Sequence, residues 1–184
     1  MNTIDLKQAA RVRMEIALYN MVPNLFWSLL CITPAAIYCF NEMPEKYLYV
    51  SAAISLITIF LPNRFLNQMQ IGRTVKFYEK MGVPFINKFS QHGSYINRVI
   101  KRKFPDYTVV SKQHRSVNKL LQQSYMFEKF HFMLFIFYLS LFIYAFIQAQ
   151  YLWAIIIFVA NVIYNVYPCF LQQYLRVRLK LFRK

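Results

Sequence analysis

Few side chains in this chain are equipped for chemistry, and the densest set lies near its C-terminus. In the stretch from Ala160 to Arg178, the residues Asn161, Asn165, Pro168, Gln172 and Arg176 fall within about 80° of one another on a helical wheel. Their neighbours are apolar, and no charge appears between Tyr151 and Arg176. A polar stripe of this kind is costly against lipid, so it should face protein, a ligand or water. It reads either as one wall of an intramembrane site or as amide glue between membrane helices. Pro168 has no N–H to give the Tyr164 carbonyl, which leaves that acceptor free near the polar side.

Proton transfer near neutral pH is the work of histidine, and the chain has three. His92 stands beside Gly93 and Ser94, where a turn could present it to a substrate as a general base; it reads equally as a solvated loop residue. His131 opens an apolar run, a place where an amphipathic ring at an interface needs no catalytic reason. His114, next to Arg115, reads as solvated. Glu79, in Lys76-Phe-Tyr-Glu-Lys80, is a second candidate base, or an anchor for the cations around it. Familiar catalytic signatures are missing. His92 is followed five residues on by Asn97, and His114 by Lys119, so neither opens a His-x-x-x-x-Asp box. No glycine-rich phosphate loop, zinc-type His/Cys spacing or nucleophile elbow is present, and no metal or bound cofactor is expected. An enzyme here would have to assemble its site across helices.

The elements that would position these groups follow from hydropathy. Of 184 residues, 58% are hydrophobic and only 16% charged, too apolar a balance for an ordinary soluble domain of this length. Lys and Arg number 22 against 7 Asp and Glu, which suits either nucleic acid or an anionic membrane surface. The long uncharged runs decide for the membrane and against nucleic acid. Those runs predict spans over about residues 21–40, 47–61, 130–147 and 151–172. Between the hairpins, residues 63–128 carry helical apolar spacing with cations elsewhere on the wheel, as in Phe85, Phe89, Ile96 and Ile100 beside Lys101-Arg-Lys103. Gly82-Val-Pro84 and His92-Gly93 mark breaks within it, and residues 1–20 read as a short interfacial helix.

More than half of the basic residues lie between Arg64 and Lys129, whereas the two hairpin turns carry one, Lys46. The positive-inside tendency then places both termini and the central segment on the cytoplasmic side of the membrane, with both turns outside. The expected fold is an all-α integral membrane protein forming one domain over 1–184: four transmembrane helices in two hairpins, with a basic cytoplasmic helical shelf between them. Cys31, Cys39 and Cys169 lie in or at the ends of apolar runs without pairing spacing and read as buried thiols. The cationic field of Arg73, Lys76, Lys80, Lys101, Arg102, Lys103, Arg176 and Arg178 predicts anionic headgroups as partners, at about 1 kcal/mol per charge near the surface. It would also suit capture of a phosphorylated donor, such as an acyl thioester of coenzyme A or acyl carrier protein.

The C-terminal stretch resembles the motif of the glycosyl diaponeurosporenoate acyltransferases, small bacterial membrane proteins of staphyloxanthin-type carotenoid synthesis. The family pattern is similar to Asn-x-x-Pro-x-x-x-Gln-Arg-Tyr-Asn-Arg-x-Arg. Asn165, Pro168, Gln172, Tyr174, Arg176 and Arg178 fit it, while Gln173 and Leu175 stand where Arg and Asn are usual. Lys76-Phe-Tyr-Glu-Lys80 leading into Pro84-Phe-Ile-Asn-Lys88 is a second point of similarity. The resemblance implies transfer of a fatty acyl group onto a sugar hydroxyl of a lipid-like acceptor, a glycolipid or glycosylated carotenoid. Asn165 and Gln172 would hold the hydroxyl or thioester carbonyl, Arg176 and Arg178 the donor's phosphates, and His92 or Glu79 would take the proton. The competing reading is a non-enzymatic membrane subunit whose polar stripe and shelf bind a partner protein.

Overall fold

A computed structural model describes residues 3–90, 93–105 and 114–181, and within them all regular structure is helical. Helix α1 runs Thr3–Asn41 and holds Pro23 and Pro34 inside it. The stretch before Pro23 contains no glycine or proline, so nothing separates an interfacial helix over residues 1–20 from the span; the two are one helix. Helix α2 (Glu45–Ile57) closes in a 3₁₀ turn, Thr58–Phe60, before Pro62. Four short helices follow: α3 (Asn63–Gln68), α4 (Val75–Lys80), α5 (Val83–Asn87) and α6 (Ser94–Lys103). Helix α7 covers His114–Ile147. The last rod is α8 (Tyr151–Asn161), a π-helical turn (Val162–Val166) and α9 (Tyr167–Leu181).

Three stretches are long and apolar enough to cross a membrane: Met14–Asn41, Val117–Ile147 and Tyr151–Leu181. At 13 residues α2 is shorter than the ~20 residues a straight helical span needs. Tyr47 packs on Tyr144 with ring centroids 5.1 Å apart, while the Tyr125 hydroxyl donates to Asn67 Oδ1 at 2.7 Å. Tyr125 and Tyr144 are separated by roughly 28 Å of α7.

The two turns of the bundle meet at one end. Tyr38 donates to Gln150 Oε1 at 2.8 Å, and Gln150 Nε2 donates to Glu42 at 3.0 Å. Ala149 adopts φ 56°, the left-handed conformation that glycine accepts without strain. The N–H groups of Ala149 and Gln150 bond back to Phe146 and Ala145 at 3.1 and 2.9 Å, closing the end of α7. Ala149→Gly is expected to raise stability by about 0.5–1 kcal/mol, read as a higher midpoint of thermal unfolding.

Along the spans, Cys31, Ala35 and Tyr38 of α1 pack with Tyr138, Leu141 and Ala145 of α7 and with Ala154, Ile157 and Ala160 of α8. The short helices gather at the other end. Lys103 of α6 pairs with Glu15 of α1, and Trp27 Nε1 donates to the Phe89 carbonyl at 3.2 Å. Ile96 and Ile100 are buried, whereas Phe85, Phe89 and Tyr95 stay exposed. Tyr78 of α4 and Val83 of α5 rest on Leu171, Tyr174 and Val177 of α9. The apolar sides of the short helices thus turn partly onto the bundle.

Gly82, at φ 76°, separates α4 from α5, and Gly93 stands just before α6. A Cβ at Gly93 would stand 2.1 Å from the Asn87 carbonyl oxygen and 2.7 Å from those of Lys88 and Ser90. All three are backbone atoms, which cannot swing aside. Gly93→Ala should therefore cost about 1–3 kcal/mol by forced opening of the turn, measured as a drop in the unfolding midpoint.

Candidate functional site

Where α7 and α9 meet near the end that carries the short helices, a carboxylate and a guanidinium are buried together. Glu128 is 2% exposed and Arg176 0%. Taking two such ions out of water costs several kcal/mol each, recovered only where their partners are well placed. Glu128 Oε2 meets Arg176 Nη1, and Glu128 Oε1 accepts from Gln173 Nε2 at 2.8 Å. The guanidinium also lies over the Tyr125 ring, 4.4 Å from its centroid. Its Nε and Nη2 make no hydrogen bond with any described residue. A buried guanidinium with unused N–H groups is a ready donor site for a carbonyl oxygen or oxyanion.

The segment before α4 is strapped onto this pair. Tyr78 is fully buried; its hydroxyl accepts from the Gly72 N–H at 3.1 Å and can donate to the Gly72 carbonyl or to Gln173 Oε1, each 3.0 Å away. The Ile71 N–H also gives to Gln173 Oε1, at 3.3 Å. Gln173 is therefore a crosspiece, accepting from the strap with its oxygen and giving to Glu128 with its nitrogen. Burial pushes the Tyr78 phenol above its usual range, which keeps it a neutral donor. A Cβ on Gly72 would stand 2.2 Å from the Phe77 ring, so only glycine allows this close approach. Tyr78→Phe leaves the Gly72 N–H without its buried partner; we expect a loss of about 1–3 kcal/mol, seen in thermal unfolding.

One turn deeper, a second polar group joins the same helices. Asn161 Nδ2 donates to the Phe135 carbonyl at 3.2 Å, and Asn165 Nδ2 donates to Asn161 Oδ1 at 2.8 Å. His131 of α7 lies beside the Asn165 side chain and the Tyr164 backbone, its ring edge-on to Tyr164 at 5.7 Å. The π-helical turn at Val162–Val166 has its cause in Pro168, which denies the preceding turn a regular N–H. It has a consequence too. Wider winding sets the residues after it back by roughly one position. Gln173, rather than Gln172, consequently arrives on the α7 side: Gln173 is 4% exposed and bonded, while Gln172 is half-buried with no hydrogen bond among the described residues.

Of the residues expected at the site, Asn161, Asn165 and Arg176 are buried along α7, and Pro168 is half-buried above them. Tyr174 is buried and packs edge-on against Tyr78 at 6.2 Å. Arg178 is exposed and donates to the Tyr174 hydroxyl at 3.4 Å. Glu79 is exposed, and no ion pair engages it among the described residues; its neighbour Tyr78 is the side chain that reaches inward. His92 lies outside the described residues. Sequence reasoning missed Glu128, Gln173, Tyr78 and Gly72. A signal for Glu128 existed: Ser124, Glu128 and His131 share an arc of roughly 60°, a polar stripe on α7 that matches the one on the last rod.

The pattern of the family described as glycosyl-4,4′-diaponeurosporenoate acyltransferase matches residues 62–184, two-thirds of the chain. The chain belongs to this acyltransferase family. The matched part of this glycosyl-4,4′-diaponeurosporenoate acyltransferase family member contains every residue of both polar groups, from Gly72 to Arg176, and leaves out α1 and α2. No curated protein and no solved structure matches the chain. Family membership implies an acyltransferase of the carotenoid pathway, and the three apolar helices are consistent with a membrane protein.

Proposed function

We propose that the protein moves a fatty acyl group from a thioester onto a hydroxyl of a lipid-linked sugar or glycosylated carotenoid. The observation that carries this reading is the buried Arg176–Glu128 pair, whose guanidinium keeps unused N–H groups at the edge of an apolar span. In acyl transfer, negative charge develops on the carbonyl oxygen, and preoriented donors in a dry setting stabilise it strongly. Arg176 supplies those donors, Glu128 holds the guanidinium in place, and Gln173 holds Glu128. Arg178, exposed two residues on, and the exposed cations Arg73, Lys76 and Lys80 attract the phosphates of a coenzyme A or acyl carrier protein donor.

The basic end faces the cytoplasm of a bacterial inner membrane, with both termini there and the two turns outside. The chain crosses four times, the second crossing being made jointly by α2, its 3₁₀ turn and α3. The path from Tyr144 to Tyr125 along α7 supports this, since it equals roughly one hydrocarbon thickness. An apolar acceptor tail then lies among the spans while its sugar reaches the cationic end.

Mass spectrometry of membrane lipids and pigments from host cells making a glycosylated carotenoid, with and without this protein, tests the reading. A fatty-acyl ester of the glycoside is expected only when the protein is present. An unchanged ester pool, with the glycosylated precursor accumulating equally in both, would overturn it.

A further inference from the structure

We infer that His131 is the general base of the reaction, with Asn165 as its positioning residue; this rests on the acyl-transfer reading above. The Phe135 carbonyl can only accept, so it must meet the Asn161 amide nitrogen, as it does at 3.2 Å. Asn161 Oδ1 is thereby turned toward Asn165 and takes that side chain's Nδ2 at 2.8 Å. Asn165 is left with its oxygen, and this Oδ1 is fully buried with no hydrogen-bond partner among the described residues. Beside it and the Tyr164 backbone lies the His131 ring, whose Nδ1 is likewise buried with no hydrogen bond of good geometry among the described residues. An acceptor and a possible donor, both unsatisfied and adjacent, complete each other when the imidazole gives a ring N–H to Asn165 Oδ1. The tautomer is then set, and the second ring nitrogen keeps its lone pair for a substrate.

Position agrees with this role. His131 stands one helical turn from Glu128 on α7, so the base and the guanidinium of Arg176 flank the same α7–α9 seam. It also opens the apolar run Phe130–Ile147, at the depth where the sugar of a membrane-held acceptor meets the interface. In the step itself, the acceptor hydroxyl gives its proton to the free His131 nitrogen as its oxygen bonds to the thioester carbonyl carbon. The carbon–sulfur bond then breaks, and the imidazolium returns the proton to the leaving thiolate, giving an ester and a free thiol.

Purified protein in micelles, given palmitoyl thioester of coenzyme A or acyl carrier protein and a glycosylated carotenoid acid, provides the test. His131→Gln keeps the size and polarity of the site but has no titratable nitrogen. Its kcat should fall by roughly 10²–10⁴-fold, with thioester binding retained. Asn165→Ala should lower kcat about tenfold or more while the acceptor KM stays near the wild-type value, because the ring is disordered but the pocket kept. Transfer by His131→Gln within a few-fold of wild type, when Arg176→Lys is inactive, would overturn the assignment and leave the acyl-transfer reading standing. Should the wild-type protein transfer nothing from either thioester, the reading itself fails and the assignment falls with it.

Discussion

Arg176→Met should destabilise the protein by about 3–5 kcal/mol, because it strands the Glu128 carboxylate in a setting that is 2% exposed. Glu128→Met should do similar damage by stranding the guanidinium. The double substitution Glu128→Met with Arg176→Met removes both charges and keeps comparable volume, so most of the loss should return. Only the Gln173 Nε2 bond is then left without an acceptor. Thermal unfolding of the three variants in one detergent measures this as a coupling that simple addition of the single effects would miss. A double variant that falls by the sum of the two singles would mean that the charges do not sense one another, contrary to the buried contact.

The second large effect belongs to Gln173. Gln173→Leu removes the acceptor used by Tyr78 and Ile71 and the donor used by Glu128. With about 1–3 kcal/mol for a buried group left unpaired, the combined loss should be roughly 3 kcal/mol. The strap should also loosen, so limited proteolysis between α3 and α5 should accelerate. Gln172→Leu is the control. Its side chain is half-buried and makes no hydrogen bond among the described residues, so it should change stability by less than about 0.5 kcal/mol. Equal losses at the two positions would contradict the register that the π-helical turn imposes.

That turn marks the boundary of what the sequence discloses. Apolar runs and breaker residues were enough to find the helices, since Met21–Phe40 and Phe130–Ile147 must be internally bonded wherever they lie in lipid. The stripe of Asn161, Asn165 and Arg176 was likewise legible from a regular wheel, and all three are buried against α7. Gln173 was not legible, because a regular wheel puts Gln172 on the stripe. The π-helical turn that moves Gln173 there is a response to Pro168 that periodicity does not encode. Tyr78 was hidden for another reason. Its neighbour Glu79 has the more obvious chemistry, and only the fold of α4 onto α9 decides which of the two points in. Glu128 is masked by the cations on either side of it in the central segment, although Ser124 and His131 share its side of the helix.

The most direct test is esterified carotenoid glycoside in host membranes holding equal amounts of wild-type protein and the charge-free Glu128→Met/Arg176→Met variant. Because that variant keeps its fold, any loss reports on chemistry. The ester should fall at least about 100-fold, the scale of losing a principal oxyanion donor. Ester formed at the wild-type level without the two charges would contradict the account.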